Sequence, residues 1–157
     1  EGPRHFVFHP SKEYLYSINE NGSTVSAHHF GPDTGRLSSF QVISTLPDGF
    51  DGDKNTTAEI RMTKNGKFLY ASNRGHDSLA IFAVNDDGSL DAIGHQPTES
   101  TPRFFDLDPT GTYILSVGQD SGYLATYRID LSTGALEPMM KFEVGESPLW
   151  IQFVPKE

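Results

Sequence analysis

Three stretches of this chain can be laid over one another. They are PRHFVFHPSKEYLYSINENGSTVSAHHF from Pro3, AEIRMTKNGKFLYASNRGHDSLAIFAV from Ala58 and PRFFDLDPTGTYILSVGQDSGYLATYRI from Pro102. Aligning Phe8 with Met62 and Leu107 spaces the units 54 and 45 residues apart. A further start, PLWIQFVP, follows from Pro148 and ends after one strand-length. Each unit opens with alternating apolar residues (Phe6 and Phe8; Ile60 and Met62; Phe105 and Leu107; then Ile151 and Phe153) and runs into a turn rich in Pro, Asn, Gly and Lys. A second strand follows (YLYSI, FLYAS, YILSV), then a third (TVSAHHF, SLAIFAV, YLATYRI), a Gly/Asp turn, and a last strand near 39–45, 90–95 or 136–144. Period-two alternation, aromatic and β-branched residues and these turns all indicate antiparallel strands.

Repeats of roughly 40–50 residues holding several strands each are the mark of propeller blades. The sequence predicts an all-β chain, a β-propeller of about three four-stranded antiparallel blades plus one extra strand. The blades fall at about 3–57, 58–101 and 102–147, with a closing strand at 148–154, in one partial propeller domain over 1–157. Propellers close with roughly 4–8 blades, so three blades and a strand cannot form a ring. The expectation is the C-terminal part of a longer protein, with missing N-terminal blades or another copy covering the open blade faces.

Equivalent slots in a repeat protein occupy equivalent places, so a slot that diverges toward charge is a candidate for a site. At the start of the first strand one slot holds His5, Glu59, Phe104 and Trp150, and the slot before it Arg4, Ala58, Arg103 and Leu149. At the end of the second strand stand Glu20, Arg74 and Gln119, preceded by Asn19, Asn73 and Gly118. If the first strand is innermost and antiparallel to the second, both groups meet at one mouth of the central channel. The chain carries 21 acidic against 12 basic residues, a net charge of -9. That balance argues against nucleic acid or an anionic membrane as partner. Three arginines gathered at one mouth of such a protein, with a carboxylate and a histidine, suit a small anionic ligand and a proton transfer.

Structural explanations apply to the same residues. Arginine beside glutamate, Arg74 with Glu59, is equally an inter-blade ion pair. His5 alone is an ordinary polar residue, Arg103 after Pro102 can anchor a loop, and His28 and His29 belong to an outer strand. His9, Asp108 and the GHDS stretch at 75–78 suit turns. The histidines do not pair with carboxylates at metal-ligand spacing, and cysteine is absent, which removes disulfides and thiolate sites. The first unit is nine residues longer than the second through TLPDGFDGDKN, residues 45–55. This reads as a loop beside the mouth, a lid or wall in which Phe50 covers a ligand or packs on the next blade.

GPRHFVFHP, AEIRMTKNGKFLYASNRGHDS, GHQPTESTPRFFDLDPTGTYILSVGQDS and VGESPLWIQF together resemble the lactonase family of seven-bladed propellers, which includes bacterial 6-phosphogluconolactonases and fungal carboxymuconate lactonizing enzymes. The resemblance implies part of a seven-bladed ring and a cytoplasmic hydrolase converting 6-phosphogluconolactone to 6-phosphogluconate in the pentose phosphate pathway, with no metal or organic cofactor. It maps a polar cleft onto Arg4, His5, Glu59 and Arg74 as catalytic residues and matches Arg103 and Gln119, which join Asn73 and Glu20 of the repeat slots as substrate-binding candidates. Glu59 would be general base, with His5 as alternative base or proton shuttle. Arg4 and Arg74 would stabilise an oxyanion or hold a phosphate. A muconate-type cycloisomerase and a non-catalytic binding propeller are the alternatives.

Overall fold

The computed structural model describes residues 1–52 and 54–154. Among these are twelve strands and no helix, hence none long and apolar enough to cross a membrane. The strands form three antiparallel four-stranded sheets, each in sequence order. The first blade holds β1 (Pro3–Phe8), β2 (Tyr14–Asn19), β3 (Thr24–Gly31) and β4 (Arg36–Ser44). The middle blade holds β5 (Thr56–Met62), β6 (Phe68–Arg74), β7 (Ser78–Val84) and β8 (Leu90–Pro97). The third holds β9 (Pro102–Leu107), β10 (Tyr113–Gly118), β11 (Tyr123–Ile129) and β12 (Leu136–Glu143).

Alternation along each strand makes two cores rather than one. Leu69, Ala71, Ala80 and Phe82 on one face of the middle blade meet Tyr16, Ile18, Val25 and Ala27 of the first. On the opposite face Tyr70, Leu79 and Ile81 meet Phe105, Ile114, Ala125 and Tyr127 of the third. The middle blade is therefore covered on both sides, while the end blades expose Phe6, Phe8, Leu37 and Val42 at one extreme and Tyr113, Met140 and Phe142 at the other.

Two tyrosines latch neighbouring blades. The buried Tyr16 hydroxyl donates to the Gly88 carbonyl in the β7–β8 turn, and the Tyr70 hydroxyl to Gly134 in the β11–β12 turn, both at 2.9 Å. Each hydroxyl crosses to the following blade, which satisfies a polar atom that burial would otherwise penalise.

The first strands β1, β5 and β9 lie side by side and line the inner edge. Each is interrupted at its start by a register shift: between Pro3 and His5, between Thr57 and Ile60, and opposite the Val117–Gly118 step. A bulge of this kind drops a residue out of the ladder and re-aims its side chain. Here it falls on Arg4, on Ala58–Glu59 and on Arg103. Residues 148–154, expected as a further first strand, join no ladder among the described residues. A strand needs a partner edge, and Trp150 instead lays its ring on Phe104, with centroids 4.0 Å apart.

Candidate active site

Glu59 owes its position to the β5 bulge. Its backbone N–H, left without a ladder partner, donates to the Ser72 hydroxyl at 3.0 Å. The side chain has no solvent exposure, which differs from the sequence expectation of a carboxylate facing the mouth. Three donors compensate its burial. Oε1 accepts from the Ile60 N–H at 3.0 Å and from the Arg61 guanidinium, while Oε2 lies 3.0 Å from His5 Nδ1.

His5 is about a third exposed (36%). Placing its proton on Nδ1 makes that nitrogen the donor to Glu59, since a carboxylate only accepts. Nε2 then carries the lone pair, with Arg4 Nη1 3.4 Å away as a long, weak donor to it. In front of it is a concavity of about 260 Å³, lined by Arg4, His5, Phe6, Arg61 and Trp150 with Glu59 beneath. Arg4 crosses from the first blade to donate to the Ala58 carbonyl at 2.6 Å, and its Nε lies 3.7 Å from Glu20 Oε2.

Arg74 joins Glu20 and not Glu59. Its guanidinium donates to Glu20 and, at 2.9 Å, to the Thr57 carbonyl. The ion pair weighed between Arg74 and Glu59 is thus replaced by two separate ones, because the β5 bulge turns Glu59 toward Arg61. Hydrogen bonding from Arg74, aided by the charges of Arg74, Arg4 and Arg103 and opposed by burial, holds the Glu20 carboxyl below its ordinary range. Burial, and then repulsion from Arg74 and Arg103, push the Arg4 guanidinium below its ordinary value, while Glu20 and Glu59 pull it back. The rim is therefore crowded with cations, a field that favours an added anion. Arg103 is half-buried, and its side chain makes no hydrogen bond among the described residues.

Two other candidates take structural positions. Asn73 is fully buried, its amide spent on Thr45, Asn55 and Ser78, so it does not reach the mouth. Gln119 is half-buried at the end of β10, where its backbone N–H donates to Thr101. The loop at 45–55, of which Asp53 lies outside the described residues, is pinned by Thr45 and Asn55 to Asn73. Phe50 meets the His76 ring edge-on at 5.0 Å, so it packs on the neighbouring blade.

Sequence reasoning missed Arg61. It lies two residues beyond Glu59 on the same strand face, and its Nε donates to Asp106 Oδ1 of the third blade at 2.9 Å. The signal was available. One aligned slot holds Val7, Arg61, Asp106 and Gln152, a divergence toward opposite charges in adjacent blades.

A family profile described as "Lactonase, 7-bladed beta-propeller" matches residues 1–153. The chain belongs to the lactonase family of seven-bladed β-propellers. Among curated lactonase relatives, the 6-phosphogluconolactonase of Pectobacterium carotovorum subsp. carotovorum (strain PC1) is 42% identical over 151 residues, 96% of this chain and 45% of that protein. That of Serratia proteamaculans (strain 568) is 38% identical over 156 residues, 99% of this chain and 47% of the relative. Among solved lactonase-like structures, the periplasmic gluconolactonase of Pseudomonas aeruginosa superimposes with a TM-score of 0.89 at 30% identity, covering 98% of this chain and 43% of that one. The chain thus spans about half the length of the lactonases it matches.

Proposed function

We propose that this chain is the site-bearing part of a lactone hydrolase acting on 6-phosphogluconolactone. The observation that carries the reading is the His5–Glu59 contact, a partly exposed imidazole oriented by a wholly buried carboxylate at the lip of a cationic concavity. In this reading His5, the alternative base of the sequence expectation, is the general base and Glu59 its positioning residue. A carboxylate without exposed surface cannot meet a water molecule directly, whereas Nε2 of His5 can.

In the proposed reaction Nε2 accepts a proton from a water as its oxygen adds to the lactone carbonyl. Negative charge then develops on the carbonyl oxygen, and Arg4 stands beside His5 to stabilise it. Collapse of the tetrahedral species expels the ring oxygen, to which the imidazolium returns the proton. Atoms balance as lactone plus water giving the hydroxy acid. The phosphate of the substrate would be taken by Arg103, whose side chain makes no hydrogen bond among the described residues. A cytoplasmic location accords with a sugar-phosphate substrate. The exposed Phe6–Phe8 and Met140–Phe142 faces would be covered by further blades of the full-length polypeptide, which would complete the ring.

The test is turnover of 6-phosphogluconolactone by the full-length polypeptide in ¹⁸O-water. Hydrolysis places one heavy oxygen in the product carboxylate. No acceleration refutes the reading; lactone formation from a muconate-type diacid without label incorporation would instead indicate a cycloisomerase, and neither activity a binding propeller.

A further inference from the structure

Glu59 can present one oxygen to His5 only if its other oxygen is held in place. Oε1 takes the Ile60 N–H and an N–H of Arg61, which leaves Oε2 for Nδ1 of His5. Arg61 is itself fixed from several sides. Its Nε donates to Asp106 Oδ1 at 2.9 Å, its terminal nitrogen donates to the Ile60 carbonyl at 2.9 Å, and its guanidinium lies 5.3 Å from the Phe104 ring centroid. Asp106 Oδ1 is anchored in turn by the Leu107 N–H at 2.9 Å.

A planar guanidinium forked between two carboxylates cannot turn without losing one of them. We infer that Asp106 and Arg61 are positioning residues for His5, acting through Glu59 along a continuous Asp106–Arg61–Glu59–His5 chain that crosses all three blades. Neither outer member needs to touch the substrate. Their work is to fix which oxygen of Glu59 faces the imidazole and which ring nitrogen carries the proton. Outer partners of an oriented histidine have effects of this kind on its tautomer and ring angle. The inference rests on His5 being the base of the proposed reaction, but the state of its ring can be read independently of turnover.

The experiment uses the full-length polypeptide with Asp106→Asn and Arg61→Lys, made singly and together. Asparagine keeps the shape of Asp106, and lysine keeps a cation beside Glu59 but cannot fork to both carboxylates, so each variant keeps most of the packing. Two readouts are taken: kcat and KM for 6-phosphogluconolactone, and the ring ¹⁵N signals of His5 in histidine-labelled protein. The expected result is a kcat lower by roughly 10–100-fold with KM within about twofold, accompanied by loss of the fixed Nδ1–H signal. The double variant should fall little further than the worse single one, because the residues act in series. Unchanged kcat together with unchanged His5 signals overturns the inference, and so does lower thermal stability with unchanged signals, which would mark a purely structural bridge. If the parent protein does not hydrolyse the lactone, the proposed function fails, and the His5 signals alone decide the positioning role.

Discussion

Replacing Glu59 by Gln removes one charge and almost no volume, so its consequences can be worked out atom by atom. The carboxylate accepts from Ile60, Arg61 and His5. A carboxamide oxygen can keep one side of that set, but its NH₂ group must then face either Arg61 or the Nδ1–H of His5, donor against donor. Removing one partner of a buried ion pair costs about 3–5 kcal/mol. Arg61 retains Asp106 and a quarter of its side-chain surface in water, so the cost should fall at or below the bottom of that range, about 2–3 kcal/mol. At about 1–2 °C per kcal/mol for a polypeptide roughly twice this length, Tm should fall by about 2–6 °C, leaving a folded protein. Activity should fall much further. Changing the carboxylate behind a catalytic histidine to an amide lowers kcat on the order of 10⁴-fold by imposing the wrong tautomer. Calorimetry and lactone turnover on the full-length polypeptide read the two effects separately. His5→Gln should lose comparable activity with little change in Tm, since His5 is partly exposed. Turnover of Glu59→Gln within about threefold of the parent, or full turnover by His5→Gln, would refute the assigned roles.

Tyr16→Phe and Tyr70→Phe should each lower stability by about 1–2 kcal/mol in urea unfolding, through a lost hydroxyl and a stranded carbonyl; lying in different blades, they should add within about 0.5 kcal/mol. Because Arg74 holds the Glu20 carboxyl below its ordinary value of 4.5, its contribution is complete above that pH and is lost as the pH falls through the lowered value. The stability difference between Glu20→Gln and the parent should therefore shrink over that acid range in unfolding measured at several pH values. Gly75→Ala should cost more than about 1 kcal/mol, since φ is +126° and a Cβ would run into the Lys54 carbonyl; Tm is the readout, and an unchanged value would contradict the packing of the 45–55 loop.

Blade number, strand order and the inner position of the first strands were legible in the sequence because the repeat phase makes every strand testify to its counterparts. The mouth was legible in part: Arg4, His5, Glu20 and Arg74 gather at one rim, while Glu59 lies buried beneath it. What escaped depends on atoms that the repeat phase does not register. Bulging on β5 buries Glu59 and hands it to Arg61, although alternation alone would only place both on one face. Asn73 stands at the right height for the mouth, but the 45–55 loop folds over it, and an inserted loop has no counterpart in the other units to betray its packing. Arg61 went unread for a simpler reason. The slot it shares with Asp106 lies toward the far end of the first strand, away from the strand ends that meet at the mouth.

The three bulges at the head of β1, β5 and β9 have a consequence for how such a protein can diverge. A side chain on a bulge stands outside the ladder, so exchanging it perturbs neither the strand pairing nor the alternation that fills the two cores. Unlike the buried Ala58 and Glu59, the partly exposed Arg4 and Arg103 occupy positions where chemistry can be rewritten while the scaffold stays the same. Variation introduced there should alter substrate preference far more readily than it alters folding yield. A library confined to those residues would explore new reactions at low risk to the architecture.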